Sequence, residues 1–318
     1  MYFQAFNERT STNIMTQRPK VSFIICTYNR ADYLDDTLYS LQDQHLVDLQ
    51  VELLIVDNNS TDETPRVVHR HQESYSKDHN PIRYIKEPNQ GLSHARNRGI
   101  KEAKAPFLVF LDDDIRATGS LISAWYSFVS EHPQAMAAGG KIHVQFDASR
   151  PRWMSHFLLP LLGHHDLGNS LRKYPAGKYP FGGNMGFRKA LFNRVSPFNT
   201  NLGRKGRQLK ASEEKELFER IRDKDITVYY LPEAMLYHRV DEQRLTEEYI
   251  KRQALGLGQS MALQAQSSRM TYWMRELPKW GASLLLFFPY ALSLQPAKAV
   301  MLLKFRKWIA EGYFSGQS

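Results

Sequence analysis

Three consecutive carboxylates, Asp112-Asp113-Asp114, follow a short apolar run from Phe107 to Leu111. Pro106 opens the run and Gly119 lies just beyond the acids. An apolar run bounded in this way reads as a strand buried on both faces. Desolvating unpaired charge is costly, so the acids belong where the strand leaves the sheet. In open α/β sheets that edge is where ligands bind. Carboxylates gathered there suit a hard divalent cation. Mg²⁺ and Mn²⁺ take oxygen ligands, often one or two acids plus substrate phosphates. The plainer alternative is an acidic turn ahead of a helix beginning near Thr118.

The elements around this run set its context. Val21–Cys26 (VSFIIC) is a buried strand by composition, and Thr27-Tyr28-Asn29-Arg30 is its exit turn. Asp32 is the expected cap of a helix carrying Leu34, Leu38 and Leu41. Val51–Val56 (VELLIV) is a second strand, ending in Asp57-Asn58-Asn59-Ser60, with Thr61 or Asp62 opening the next helix. Ile82–Ile85 is a third strand, and Gly91-Leu92-Ser93 starts a helix that carries Ala95, Arg96 and Ile100. Four strands alternating with helices predict a parallel sheet with right-handed crossovers. Strands one, two and four then deliver Thr27/Asn29, Asp57/Ser60 and Asp112/Asp114 to one edge and one cleft.

Further along the pattern loosens. Met136–Phe146 reads as a strand with a glycine break, and residues 147–180 show no clear period. Gly182 and Gly183 let backbone approach a ligand closely. Residues 199–211 are polar, basic and Gly-containing, which suggests a mobile loop. Ser212 has the position of an N-cap, with Glu213 and Glu214 in the first turn and Leu217, Phe218 and Ile221 on the buried face. Ile226–Leu231 is a strand, and Ala234–Arg239 follows it.

The bulk numbers fit one large α/β domain or two smaller ones: 318 residues, 42% hydrophobic and 24% charged. A net charge of +9 fits an anionic partner such as a nucleotide, a nucleic acid or a membrane surface. The single cysteine, Cys26, excludes an internal disulfide framework and suits a reducing compartment. Residues 1–19 are polar and aperiodic and are expected to be disordered, with Tyr2-Phe3-Gln4 resembling the scar of a cleavable tag.

Seven segments in order resemble the family 2 glycosyltransferases: Val21–Arg30, Leu54–Asp62, Asn89–Gly99, Phe110–Asp114, Gly182–Asn184, Ser212–Leu217 and Pro232–Arg239. The likeness covers roughly residues 20–240. It implies a GT-A fold, a Rossmann-like, mostly parallel sheet flanked by helices, and an inverting, metal-dependent transfer from a nucleotide-sugar, with UDP-sugars favoured. On this resemblance, Asp114, Asp112 and His238 would reach Mn²⁺ or Mg²⁺, with Asp113 beside them and Asp112 contacting the ribose or sharing the ion. Tyr28 would stack on the base and Asp57 would accept a hydrogen bond from it. Thr27, Asn29, Arg30 and Ser60 would line the nucleoside pocket. Gly91 and Arg96 would face phosphate at a helix start. Arg96 could instead be a solvated helix residue, and His238 a structural histidine. The family's usual base is the second acid of a Glu-Asp pair. Here Glu214 takes that position with one extra methylene, which leaves Glu213 as an alternative. Gly183 and Asn184 would border the acceptor.

Residues 241–318 form the expected third part, helical and basic. Residues 244–318 hold ten Lys/Arg against four Asp/Glu. Gly281–Ala297 is uncharged but short for a span, which needs about 20 apolar residues. Aromatic and basic residues around it suit the interface of an anionic membrane. The resulting expectation is a cytoplasmic enzyme, peripheral on the inner face of the cell membrane, acting on a glycan or lipid-linked hydroxyl. The alternatives are a catalytically weak GT-A scaffold at the membrane and a basic nucleic-acid-binding protein. Against the latter, the basic residues are not interleaved with a recognised binding motif.

Overall fold

A computed structural model describes residues 18–42, 49–75, 82–202, 213–264 and 269–316. Most of the N-terminal segment, most of the 199–211 loop and the Ser212 cap lie outside the described residues. The chain divides into two compact units: one runs to His143 and resumes over His165–His238, and the other comprises Val144–His164 and Arg239–Ser318. The second unit thus takes in a segment from the middle of the chain as well as its end.

The first unit is built on a mixed sheet. Its first half alternates strand and helix: β1 (Val21–Thr27), α1 (Ala31–Gln42), β2 (Val51–Asp57), α2 (Thr64–Tyr75), β3 (Ile82–Lys86), α3 (Leu92–Glu102) and β4 (Phe107–Leu111). After it come β5 (Ile115–Ala117), α4 (Leu121–Glu131), β6 (Ala137–Phe146), β7 (Arg172–Lys173), β8 (Asn184–Arg188), α5 (Glu213–Arg222) and β9 (Val228–Val240). The strand order is β3-β2-β1-β4-β8-β6-β9-β5, with β7 attached to β9. The β1–β2, β1–β4 and β2–β3 pairs are parallel, as the alternation predicts. Beyond β4 the sheet turns antiparallel at β8, and β5 also pairs antiparallel with β9. The two apolar stretches expected at 226–231 and 234–239 are one thirteen-residue strand, β9.

Side chains of the central strands alternate between two cores. Phe23, Ile25, Leu53, Ile55, Phe107 and Val109 pack on one face with Leu34 and Leu38 of α1 and Trp125 of α4. Ile24, Leu54, Val56, Leu108 and Phe110 pack on the other with Ala95 of α3 and Leu217, Phe218 and Ile221 of α5. Burial on both faces is why these strands read as unbroken apolar runs. It also places α3 and α5 on the same face of the sheet. Asp32 lies in the first turn of α1, but Asp62 supplies the cap: one of its oxygens accepts from the Ala31 N–H and the other from the Thr64 N–H. A single aspartate therefore ties the starts of α1 and α2 together.

The second unit has its own core, with Leu158 and Leu162 from the 3-10 turn His156–Leu162, Met154 just before that turn, Ile250 from α6 (Glu247–Gln264) and Met301, Phe305 and Ile309 from α9 (Pro296–Ser315). Between α6 and α9 in sequence lie α7 (Arg269–Leu285) and α8 (Phe287–Leu292). Among the described residues no helix is long and apolar enough to cross a membrane.

Candidate active site

The sheet register brings the first group of chemical residues together. Thr27 lies opposite Asp57, and Ile25 lies opposite Leu111, so the chain leaving β4 passes beside the exit turn of β1. The Thr27 hydroxyl donates to Asp113 Oδ2 at 2.7 Å. Arg30 Nη1 reaches Asp113 Oδ1 at 3.0 Å, and its Nη2 reaches Asp114 Oδ2 at 2.8 Å. Thr37 on α1 donates to the Asp113 carbonyl and accepts from the Ile115 N–H, which fixes the backbone around Asp114. The acids are thus held within a shell of donors. Burial pushes the Asp113 carboxyl up to about 6, and the charge of Asp114 adds to that, while Arg30 pulls it down. Burial and then Asp114 also raise the Asp112 carboxyl, offset by Arg96 and His238.

This geometry forms a candidate cation site. Asp112, Asp114 and His238 each offer a ligand atom, and these atoms lie within 4.8 Å of one another. His238 comes from β9, where it pairs with Ile115 of β5, and its Nε2 stands 3.3 Å from Asp114 Oδ1. Two carboxylates and an imidazole are a donor set that Mn²⁺ or Mg²⁺ accepts. The residues present therefore fit such an ion.

The second group is organised by Arg96. Its guanidinium is buried and bridges two acids, Nη1 to Glu213 Oε1 at 3.1 Å and Nη2 to Glu214 Oε1 at 2.8 Å. Burial disfavours the Arg96 charge, but Glu214 and Glu213 outweigh it and raise its pKa. Glu214 Oε2 accepts from the Gly182 N–H at 2.9 Å. Of the two acids, Glu213 is 1% exposed while the Glu214 side chain is 23% exposed, so only Glu214 faces solvent appreciably. A Cβ on Gly182 would lie 1.8 Å from Glu214 Oε1, and one on Gly183 would lie 2.7 Å from Asp112 Oδ2. The two glycines therefore pass between Glu214 and the acids at the exit of β4, where a larger residue would push those carboxylates aside. Gly182→Ala is expected to displace Glu214, lowering transfer with little change in nucleotide affinity. Kinetics beside calorimetry would show this, and an unchanged kcat would refute the contact.

Several expectations need correction. Arg96 is neither a solvated helix residue nor open to phosphate, because both of its terminal nitrogens are engaged by glutamates across the sheet face. The Gly91 N–H, also expected at phosphate, donates to Asn58 Oδ1 at 2.7 Å, and Gly91 adopts φ 140°, a conformation that favours glycine. Asn58 had no signal in sequence, yet its amide also donates to the carbonyls of Glu87 and Asn89 and so binds the β2 exit to the approach to α3. Asp57 is fully buried, accepting from the Ser60 N–H at 2.8 Å and the Tyr84 hydroxyl at 2.5 Å, so no atom of it is open to a base. Asn184 is also fully buried. It accepts from Trp125 Nε1 and donates to the carbonyls of Lys141 and Ala234, which leaves it a strut of the sheet with nothing to offer an acceptor. Tyr28 does stand at the rim, 38% exposed. Asn29 beside it adopts φ 51° and accepts from the Thr61 N–H, while Ser60 Oγ accepts from the Asn29 N–H.

Arg96→Ala removes the cationic partner of a buried carboxylate. It is expected to cost about 3–5 kcal/mol of stability, as breaking a buried pair does, with Arg96→Lys recovering part of it. Thermal unfolding of the two variants checks this. A melt equal to that of the wild type would mean the bridge contributes little.

A mixed sheet with acids and a histidine on the carboxyl rim of its parallel half, and glutamates closing in from the helix behind, is the architecture of a GT-A glycosyltransferase. The family model "Glycosyl transferase family 2" matches residues 22–196, more than half of the chain, and the protein belongs to that family. It is a transferase enzyme. Among curated relatives, the glucosyl-dolichyl phosphate glucuronosyltransferase of Haloferax volcanii is 25% identical over 234 residues, 73% of this chain and 72% of that one. The GalNAc(5)-diNAcBac-PP-undecaprenol beta-1,3-glucosyltransferase of Campylobacter jejuni is 39% identical over 98 residues, which is 30% of each chain. Among solved structures, the mannosyltransferase PcManGT of Pyrobaculum calidifontis, in complex with GDP-Man and Mn²⁺, aligns with a TM-score of 0.60 at 18% identity, covering 95% of this chain and 88% of that one. At that identity the likeness speaks for the fold.

Proposed function

We propose that the protein is an inverting, metal-dependent glycosyltransferase that moves a sugar from a nucleotide-sugar, UDP-linked in the first instance, to a hydroxyl of a glycan or lipid-linked acceptor. The observation that carries this is the convergence of Asp112, Asp114 and His238 on one rim position. Bound there, Mn²⁺ or Mg²⁺ would neutralise the charge that develops on the departing nucleoside diphosphate. Asp114, Asp112 and His238 would hold the ion, and Arg30 fixes the Asp114 carboxylate. Tyr28 offers its exposed ring to the base. Glu214 takes the acceptor proton on Oε2 as the acceptor oxygen bonds to the sugar carbon and the bond to phosphate breaks on the opposite side. Arg96 and the Gly182 N–H orient that carboxylate. The relatives' names, with dolichyl phosphate and undecaprenol carriers, support a lipid-linked acceptor and work at the inner face of the cell membrane.

Calorimetric titration of UDP and GDP, each with and without Mn²⁺, tests the reading. Tight binding of one nucleotide only with the metal is expected. If neither binds in a metal-dependent way, the enzyme reading fails and a scaffold is left. A screen of nucleotide-sugars for metal-dependent hydrolysis then identifies the sugar.

A further inference from the structure

The helix α7 is turned inside out, and α8 continues its exposed apolar side. Met270, Met274, Leu277, Leu284, Leu285 and Phe288 follow one another at helical spacing, and all are exposed, Leu285 by 73% and Phe288 by 69%. Leu292 and Leu294 extend the apolar surface past α8, with exposures of 86% and 90%. The opposite side of α7 is polar and buried. Tyr272 stacks on Tyr313 of α9 with ring centroids 3.9 Å apart. Glu276 is buried with Arg306 Nη1 at 3.7 Å, and Arg306 Nε lies 3.4 Å from Ser283 Oγ. A helix facing water normally shows the reverse, with its apolar stripe inward. Exposed apolar surface on this scale marks a binding face.

Charge decides what covers it. Residues 269–307 carry seven Lys/Arg and one acid, Glu276, a balance of +6 in a chain of net charge +9. A second copy would bring an equal positive field against it, which opposes pairing. A surface that is apolar within and anionic at its edge complements both features. Trp273 and Trp280 lie half-buried on the same helix.

We infer that the α7–α8 face is a lipid-docking surface that lies in the plane of an anionic phospholipid bilayer, with Leu285 and Phe288 entering the acyl region and Lys298 and Lys307 meeting phosphates. The absence of any helix long and apolar enough to cross, among the described residues, agrees with lying rather than spanning. This rests on the membrane placement proposed above and is independent of the donor chemistry.

The test is co-sedimentation of the full chain with phosphatidylcholine vesicles, with and without phosphatidylglycerol. Binding is expected with phosphatidylglycerol and should weaken as salt is raised. The double variant Leu285→Glu/Phe288→Glu should lose about tenfold or more in vesicle affinity. Both side chains point outward, so circular dichroism and UDP·Mn²⁺ calorimetry should match the wild type. Lys298→Glu/Lys307→Glu should weaken binding to anionic vesicles alone. The inference is overturned if the wild type ignores phosphatidylglycerol vesicles, or if the apolar variant binds as well as the wild type. It is also overturned if light scattering shows a wild-type dimer that the apolar variant dissolves, since a second copy would then own the face. Loss of UDP·Mn²⁺ binding with vesicle binding intact would defeat the donor reading and leave this one standing.

Discussion

Glu214→Gln is expected to slow sugar transfer by about 10²–10⁴-fold, the usual contribution of a positioned general base, while UDP·Mn²⁺ affinity stays near the wild-type value. The amide is the same size as the carboxylate it replaces. It has one acceptor oxygen, so it retains either the Gly182 bond or the Arg96 contact but cannot take a proton. Arg96 keeps Glu213, so the buried bridge survives in part. The proposed cation ligands lie on β9 and at the exit of β4, outside the substitution. The effect should therefore fall on kcat, with nucleotide binding spared. Glu213→Gln is the control. Because Glu213 is buried against Arg96, that change should lower the melting temperature more than it lowers the rate. Rapid transfer by Glu214→Gln together with a dead Glu213→Gln would move the base to Glu213.

Asp114→Ala should remove turnover by a comparable or larger factor, at least about 10³-fold, since a metal contributes several kcal/mol of charge stabilisation and each 1.36 kcal/mol is tenfold. Asp114 is the acid that meets both His238 and Arg30. Without it the imidazole and Asp112 remain, too few ligands to hold the ion firmly. Nucleotide affinity measured in Mn²⁺ should drop to the value the wild type shows in chelator. Chelator alone should stop the wild-type enzyme, and added Mn²⁺ should restore it. Arg30 still pairs with Asp113, so the fold should survive and a melting curve would verify that. Full activity in chelator would disprove the metal reading whatever the variant does.

The parallel half of the sheet was legible because its information is local. β1, β2 and β4 are short apolar runs, and each is closed by a polar turn at the same end. Alternate burial on two faces leaves that pattern unmistakable. The antiparallel half was obscure for the opposite reason. β8 is five residues containing Gly186, and β7 is two exposed residues, so neither carries a period long enough to read. β5 follows the acids directly and looks like the turn that was expected there.

The same division runs through the site. Residue types at strand ends named Asp112 and Asp114 as candidates, because a carboxyl rim needs no long-range knowledge, and the family resemblance added Tyr28 and the Glu213-Glu214 pair. What each touches was another matter. Arg96 and Glu213 stand 117 positions apart, and only the packing of α3 and α5 on one sheet face brings them together. Asn184 was expected to border the acceptor, yet it lies in a strand and accepts from Trp125 Nε1. Asp57 looked open at a strand end, yet the Tyr84 hydroxyl from the neighbouring strand closes over it. The sequence by itself determined the sheet's acid-bearing rim, since burial and alternation are written into neighbouring residues. Tertiary structure alone decided which charges neutralise one another, because a buried charge is settled by whatever partner the fold carries within about 4 Å of it, and that partner can come from anywhere in the chain.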